Sequence, residues 1–405
     1  MIRIEDKARC CGCGACAAIC PAGCIEMLPD AAGSDYPQVD EAACVGCGLC
    51  EEACPVLHVA PDEPRPQRAF LAQNLDEGVL AESTSGGAFS ALACEVIARG
   101  GVVFGAGYEP ARQQDGPLVS HFGVEDEDGL ALFRNSKYVQ SECGGCFPQV
   151  AAELKAGRWV LFSGTPCQAE GLKRFLRSDP PRLIVADVVC RAAPRRSVFD
   201  AYLSWVGERY GRRPAQVRFR DKRRFGYRYS QICAFGEGEE EPFYTAGVES
   251  DPFLRSFFGN YADREICYAC PFKKRHRESD VTMWDCFDVR EFDKSLDNNR
   301  GVTRLLVQSE KGQALIDAAA PRMRLVEIDA DEACEGVREM FHSVPRPERW
   351  GEFAADVATL PGAEVMGKWF PDTPRVKAER TARLVCERLG IYDPMKRAVK
   401  KVLGK

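Results

Sequence analysis

The 405 residues predict an α+β protein in three parts: a small cysteine-rich N-terminal domain, an α/β body and a helical C-terminal tail. Three observations lead there. Of the 21 cysteines, ten lie between Cys10 and Cys54. A proline-rich stretch follows them, and beyond it strand-like apolar runs alternate with helical periodicity. Hydrophobic residues at 45% and charged ones at 28% supply a sizeable core and argue against a disordered chain. The length exceeds what one core usually fills.

The N-terminal cysteines follow a spacing. Cys10, Cys13, Cys16 and Cys20, followed by Pro21, fit C-x2-C-x2-C-x3-C-P, and Cys44, Cys47, Cys50 and Cys54, followed by Pro55, fit it again. A tight loop of this kind offers three thiolates to one cubane, and the fourth cysteine, one helical step on, reaches the other. Cys10, Cys13, Cys16 and Cys54 are therefore expected to hold one [4Fe-4S] cluster, and Cys44, Cys47, Cys50 and Cys20 a second. Residues 1–60 then form a bacterial-type ferredoxin domain, an electron-transfer module. Gly12, Gly14, Ala15, Val45, Gly46 and Gly48 fill the intervening positions, where backbone amides approach cluster sulfurs closely. A pair of zinc knuckles would not require that packing. Cys11 and Cys24 fall outside both patterns and read as non-ligands.

The start MIRIEDKARC has no charged leader with an apolar run behind it, and no stretch approaches 18 consecutive apolar residues. A reducing cytoplasm and no transmembrane segment are expected, with the cysteines as metal ligands rather than a disulfide framework. Residues 1–62 carry three Lys/Arg against ten Asp/Glu, while the whole chain is at −6, so the head is acidic and the rest nearly neutral. A basic partner face would be attracted to that head.

Ala60 to Gln67 (APDEPRPQ) has three prolines in eight residues and marks a boundary. The expected division is 1–60, a linker at 61–68, a body in two parts at 69–155 and 156–320, and a helical region at 321–405. Ala88 to Arg99 has helical periodicity and stops at Gly100 and Gly101, after which VVFGAGY reads as a buried strand. RWVLFSG (158–164) reads as a strand, Gln168 to Arg177 as a helix and LIVADVVC (183–190) as a second strand, a βαβ crossover. Ser163 to Cys167 then fall at the carboxyl end of the first strand and Cys190 at the end of the second, the edge where open α/β sheets bind ligands.

The segments STSGGAFSAL (83–92), SKYVQS (136–141), LFSGTPCQAEGLKRFL (161–176), RFRDK (218–222) and CYACPFKKRHRESDVTMWD (267–285) resemble the coenzyme F-420 hydrogenase/dehydrogenase beta subunit family, over about residues 65–300. That resemblance implies an FAD-containing reductase with a [4Fe-4S] cluster in the body. Cys167, Cys190, Cys267 and Cys270 match the family pattern and would supply four thiolates to this third cluster; a structural zinc has the same ligand count. Flavin binding would draw on Thr84, Ser85, Gly86 and Gly87 just before a helix, on Ser136, Lys137 and Tyr138, and on Gly164 and Thr165, which would present the ring beside Cys167. The family usually reads C-H-G-x-P where this chain has Cys190, Arg191, Ala192, Ala193 and Pro194, and G-D-F-W-G where it has Trp284, Asp285, Cys286, Phe287 and Asp288.

Other features are open in meaning. Cys143 and Cys146 (C-G-G-C) read as a redox dithiol, as ligands of a fourth cluster with Cys233 or Cys286, or as two buried thiols. Cys94, Cys334 and Cys386 sit in helical segments and read as core. Nine Lys/Arg lie between Arg209 and Arg228, and KKRHR spans Lys273 to Arg277. Solvated faces are the ordinary explanation for such runs; a basic rim for an anionic ligand or for the acidic head is the functional one. The acidic overall balance disfavours nucleic acid. The tail Met395 to Lys405, with Val399, Val402 and Leu403 spaced for one face, reads as a solvated terminus or a contact for lipid or a partner. No G-x-G-x-x-G follows a predicted strand, so no nicotinamide fingerprint is present.

The function expected is an iron-sulfur flavoprotein oxidoreductase that passes electrons between the ferredoxin-type clusters and FAD, with hydride exchange to the deazaflavin coenzyme F-420 or another small organic substrate. A redox partner protein or ferredoxin would complete the path. Two alternatives are an electron-transfer subunit of a larger redox complex without its own substrate, and a thiol-based reductase using Cys143 and Cys146.

Overall fold

A computed structural model describes residues 1–109, 118–392, 394 and 395. At the N-terminus, two one-turn helices, Ala15–Ala18 and Leu49–Glu52, each follow a glycine in the left-handed region, Gly14 at φ 75° and Gly48 at φ 79°. That backbone is open to glycine at little cost, and it turns each cysteine loop directly into its helix. Strands β1 (Ile25–Pro29) and β2 (Asp35–Val39) pair antiparallel beside them, with Ile25 opposite Val39. Ile2, Ile25, Cys16, Cys50 and Cys54 form the small buried centre of this module.

The body is built on an eight-stranded mixed sheet. Its strands are β3 (Ala69–Asn74), β4 (Val102–Tyr108), β5 (Val119–Val124), β6 (Val160–Gly164), β7 (Leu183–Val188), then β11 (Val281–Asp285), β12 (Thr303–Val307) and β13 (Met323–Ile328). Between them β8 (Gln216–Asp221), β9 (Gln231–Phe235) and β10 (Tyr244–Ala246) form a separate antiparallel sheet. The large sheet runs β13-β3-β12-β11-β7-β6-β4-β5, and β4, β6, β7 and β11 at its centre are parallel. Val160, Leu161 and Phe162 of β6 are all fully buried, as expected for a parallel strand covered on both faces. The helix Pro166–Leu176 starts with proline in its first turn and a capping box between Thr165 and Gln168. The βαβ crossover read from sequence is therefore present, with β6 and β7 adjacent and parallel.

The sheet draws strands from both 69–155 and 156–320, so the two stretches share one sheet and a core in which Leu92, Leu161, Ile184 and Leu305 meet. A second core gathers Phe199, Tyr202, Phe219 and Phe253 between the helix Arg196–Tyr210 and the three-stranded sheet. The stretch from 321 does not begin helical as expected, because β13 pairs along the whole of β3 from Met323 opposite Asn74 to Ile328 opposite Ala69. Helices follow at Ala330–Cys334, Arg338–Phe341, Trp350–Thr359, Gly362–Trp369 and Pro374–Arg388. The tail read at Met395 to Lys405, including Val399, Val402 and Leu403, lies outside the described residues apart from Met395. Among the described residues no helix is long and apolar enough to cross a membrane.

The linker is pinned rather than free. Asp62 pairs with His276 at 2.7 Å, Arg65 donates to the Arg277 carbonyl at 2.6 Å, and Lys274 donates to the Ala60 carbonyl at 2.6 Å. Lys274 also pairs with buried Glu170 at 2.5 Å, and Arg277 with buried Asp187 at 3.2 Å. The KKRHR run thus makes internal bonds that fasten the linker and the sheet, among them bonds to Ala60 and Asp62 at the end of the acidic head.

Candidate functional site

Cys10, Cys13, Cys16 and Cys54 line one small cavity, closed by Ile2, Ile4, Met27, Pro37 and Val56. Burial pushes the Cys16 thiol up to about 12, with Cys10 and Cys54 adding to it as neighbouring charges. Such thiols need a positive centre to ionise, which is what cluster iron supplies to thiolate ligands. At the second set, Cys50 accepts a hydrogen bond from the Ile2 amide at 3.4 Å, and Cys47 is exposed. Cys24 lies 3.4 Å from Cys20, sulfur to sulfur, and Cys20 and Cys44 both act on it. Cys11 hydrogen-bonds to Cys13 and to Cys167 of the body. Both cysteines read as non-ligands therefore stand against expected ligands, a proximity that spacing along the chain does not encode.

The body cysteines come from three places. Cys167 is in the first turn after β6, Cys190 lies two residues past β7, Cys267 sits within a 3-10 turn at Glu265–Ala269 and Cys270 directly follows it. Burial pushes Cys190 up to about 12, with Cys167 and Cys270 adding to it, while Lys273 opposes. Cys267 is raised by burial and by Cys190. Four buried or half-buried thiols within charge range of one another, with cationic Lys273 and Arg277 beside them, fit the donor set of an anionic cubane. The Ala193 amide donates to Cys267 sulfur at 3.3 Å, the Cys270 amide to Ser343 Oγ at 2.8 Å, and Thr165 Oγ1 is 3.2 Å from Cys167 sulfur.

Beside this set lies a cavity of about 690 Å³, a size suited to a cofactor. It opens at the carboxyl ends of β6 and β7, and its wall includes Thr84, Ser85, Gly87, Ser136, Lys137, Tyr138, Gly164 and Thr165 together with Cys167 and Cys190. The helix Ala88–Ala98 points its N-terminus at it behind Gly87, which sits at φ 74°. Gly86 does not line the cavity. A Cβ there would stand 2.2 Å from the Ala72 carbonyl oxygen and 2.6 Å from the Thr303 nitrogen, so Gly86 instead lets this turn lie flat on β3 and β12. The Ser136 amide donates to Thr84 Oγ1 at 2.7 Å, joining the two expected flavin loops. Tyr138 lines the cavity but stacks on Phe257 at 4.8 Å, so part of the ring surface read as a stacking platform is already covered. Lys137 donates to the carbonyls of Leu132 and Arg134 at 2.9 Å, and burial pushes its ammonium down to about 7.

Sequence reading missed His121 of the wall, whereas Arg191 and Trp284 stood among the departures from the family pattern. His121, from β5, lies between Ser163 carbonyl oxygen at 2.9 Å and Ser141 Oγ at 3.0 Å and stacks on Phe162; burial pushes it down to about 4, so it is neutral. Gln168 donates to Ser141 at 3.0 Å and accepts from the Thr165 amide at 2.9 Å, linking the Gly164–Thr165 turn to that network. An isolated histidine in a strand carries no sequence signal of this. Arg191 pairs with Glu339 at 3.1 Å and donates to Asn260 at 2.8 Å, and Arg220 pairs with Asp285 at 2.8 Å under Tyr227 and Phe287. Trp284 Nε1 is buried in the wall with no hydrogen-bond partner, an orphan donor that a polar ligand would satisfy.

Cys143 and Cys146 pack at the start of the helix Phe147–Lys155, in one apolar cluster with Cys11, Cys13 and Cys267. Cys233 lies on β9 and Cys286 beside Leu71 and Val289, so neither is brought to the pair. Cys94 and Cys334 are buried on helices and Cys386 is half-buried on its own. Among the described residues no three His, Cys, Asp or Glu side chains stand close enough to hold a single metal ion.

Residues 157–333 match the family model that describes the C terminus of the coenzyme F420 hydrogenase/dehydrogenase beta subunit, and residues 9–57 match a 4Fe-4S dicluster domain. No curated protein matches the chain. Among solved structures it is similar to a chain of the xenon-derivatized F420-reducing [NiFe] hydrogenase complex from Methanosarcina barkeri, at 12% identity and a TM-score of 0.45 over 74% of this chain and 93% of that one. The chain thus carries a 4Fe-4S dicluster domain ahead of a segment matching the C terminus of the coenzyme F420 hydrogenase/dehydrogenase beta subunit, and is an iron-sulfur electron-transfer protein related to that subunit.

Proposed function

We propose that the chain is an FAD-dependent iron-sulfur oxidoreductase that moves electrons between the N-terminal clusters and a flavin in the large cavity, exchanging hydride with coenzyme F-420 or another small organic substrate. The observation that supports this is the shared wall: the glycine-rich turns and two of the four body cysteines, Cys167 and Cys190, face one cavity. FAD, when bound, supplies the conversion between two-electron and one-electron chemistry. Thr84, Ser85, Gly87 and the helix start behind them would hold phosphate, with Lys137 as a nearby cation. Gly164 and Thr165, fixed through Gln168, Ser141 and His121, would orient the ring edge toward Cys167. His121, neutral at neutral pH, carries no imidazolium proton to donate and serves to hold Ser163 and Ser141 in place. Arg191, Arg220 and exposed Phe287 line the mouth, where an anionic, flat substrate would enter.

At the far end, Val45 is 70% exposed beside exposed Cys47, with Glu51 and Glu52 close in sequence. That apolar and acidic edge suits a basic redox partner. Use of Cys143 and Cys146 as a substrate-reducing dithiol is disfavoured, because the two are 2% and 1% exposed.

Anaerobic purification with flavin and iron counting tests the proposal. It expects about twelve iron atoms and one FAD per chain, and reversible bleaching of added deazaflavin by the reduced protein. Eight iron with zinc would remove the body cluster, and absence of flavin after reconstitution would leave an electron-transfer subunit.

A further inference from the structure

Arg264 is 0% exposed, yet its guanidinium is a permanent charge. Its donors go to the Cys10 carbonyl at 2.8 Å, Gln140 Oε1 at 3.0 Å, the Asp35 carbonyl at 2.6 Å and the Cys10 sulfur at 3.7 Å, and it lies 4.3 Å over the Tyr36 ring. Among the described residues no carboxylate forms an ion pair with it. Its own backbone carbonyl accepts the Cys267 amide at 3.0 Å, and its amide donates to the Ala193 carbonyl at 3.0 Å. One residue of the body thus touches a ligand set of the N-terminal module through its side chain and a ligand of the body set through its backbone. Gly12 makes the approach possible, since a Cβ at its φ of +67° would stand 2.8 Å from Arg264 Nη1.

A buried cation without an ion-paired carboxylate is costly, and Asp35 acts on it only at longer range, so an anion belongs beside it. A cubane with four thiolates is one, and each added electron increases its negative charge. We infer that Arg264 is a positioning residue that raises the reduction potential of the cluster held by Cys10, Cys13, Cys16 and Cys54 above that of the cluster held by Cys20, Cys44, Cys47 and Cys50. This rests on the proposed ligand assignment. Net charge and hydrogen bonds to sulfur set such potentials. Among the described residues the hydrogen bonds to thiols of the second set come from backbone amides such as that of Ile2 and from Cys24 rather than from a cation, and Glu51 and Glu52 lie beside it in sequence, so it lacks the same stabilisation. With both clusters in place, an electron passing between the body set and the Cys10 set would reduce one as it oxidised the other, with no bond or proton moved, and Arg264 would favour its residence on the Cys10 side.

The test is an anaerobic redox titration of the full chain followed by electron paramagnetic resonance, with the Cys10-site signal assigned by its loss in Cys16→Ser. Arg264→Gln is expected to make that one couple at least tenfold harder to reduce, a negative shift of about 59 mV for one electron, while the other signals stay. Arg264→Lys is expected to keep most of the wild-type potential. An unchanged potential in Arg264→Gln, an equal shift in Arg264→Lys, or loss of the cluster from both variants overturns the inference. Iron counts on the wild type that lack this cluster would instead defeat the ligand assignment.

Discussion

Gly14 and Gly144 meet backbone to backbone: a Cβ on Gly14 would stand 2.8 Å from the Gly144 Cα, and one on Gly144 would stand 2.7 Å from the Gly14 Cα. The first cysteine loop of the N-terminal module therefore docks on the C-G-G-C turn of the body with no side chain between them. Gly144→Ala is expected to destabilise the chain by about 1–3 kcal/mol, the usual cost of overpacking. Gly14→Ala should cost more, because Gly14 is also held at φ +75°. Denaturant unfolding followed by near-ultraviolet circular dichroism measures both, and unchanged stability in Gly144→Ala would show that the interface yields.

Cys190→Ser is expected to lower bound iron by about four atoms per chain, the content of one cubane, while Cys11→Ser and Cys24→Ser leave the count unchanged. Iron analysis with absorbance near the cluster charge-transfer bands reads the difference. A fall in iron for Cys24→Ser would make that thiol a ligand alongside or in place of Cys20, 3.4 Å away.

Flavin affinity should depend on pH through Lys137. Burial lowers its ammonium from the ordinary 10.5 to about 7, whereas a bound phosphate favours the charged form. Below about 7 the lysine is already charged and affinity is flat; above it, binding takes up a proton and affinity falls as pH rises. The unfolded chain keeps this proton up to its ordinary value, so the empty protein gains stability as pH rises from about 7 toward 10.5. Titrating apoprotein with FAD between about pH 6 and 9 checks the first effect. Lys137→Met should abolish the slope, and a slope that survives would assign it to another group.

Lys274 and Glu170 form a buried pair that also holds both backbone groups of Ala60 at the start of the linker, by 2.6 Å and 3.2 Å hydrogen bonds. Glu170→Ala strands the ammonium and is expected to cost about 3–5 kcal/mol. The double variant Glu170→Leu with Lys274→Met removes both charges and should recover most of that loss. A double variant no more stable than the single one would indicate that the Ala60 bonds, not the ion pair, carry the effect.

Replacing both Cys143 and Cys146 by alanine is expected to keep the full iron content and electron transfer, at about 1 kcal/mol per deleted buried atom. Loss of electron transfer with iron intact would restore the dithiol as a redox element.

Several elements were legible in the chain because their signals are local. The cysteine spacing of 10–20 and 44–54 reflects what one loop and one helical turn can reach, and Thr165, Pro166 and Gln168 carry a helix start within four residues. The crossover from β6 to β7 and the helix Ala88–Ala98 showed in the same way. The βαβ edge and the family resemblance together pointed to the turn before Cys167. Gly86 misled, because a glycine that lets backbones pack looks the same in sequence as one that admits a phosphate. The basic run Lys273 to Arg277 was legible only as charge, since composition does not say whether its partners are solvent, ligand or the protein's own carbonyls.

Sequence alone laid out two sets of four regularly spaced thiols and placed the turn before Cys167 at the carboxyl end of β6. Tertiary structure decided what stands next to them: Cys11 against Cys167, His121 under Ser163, and Arg264 against Cys10. These pairs are separated by 42 to 254 residues along the chain. Their proximity depends on how whole strands and modules pack, and no periodicity or spacing within a segment records it.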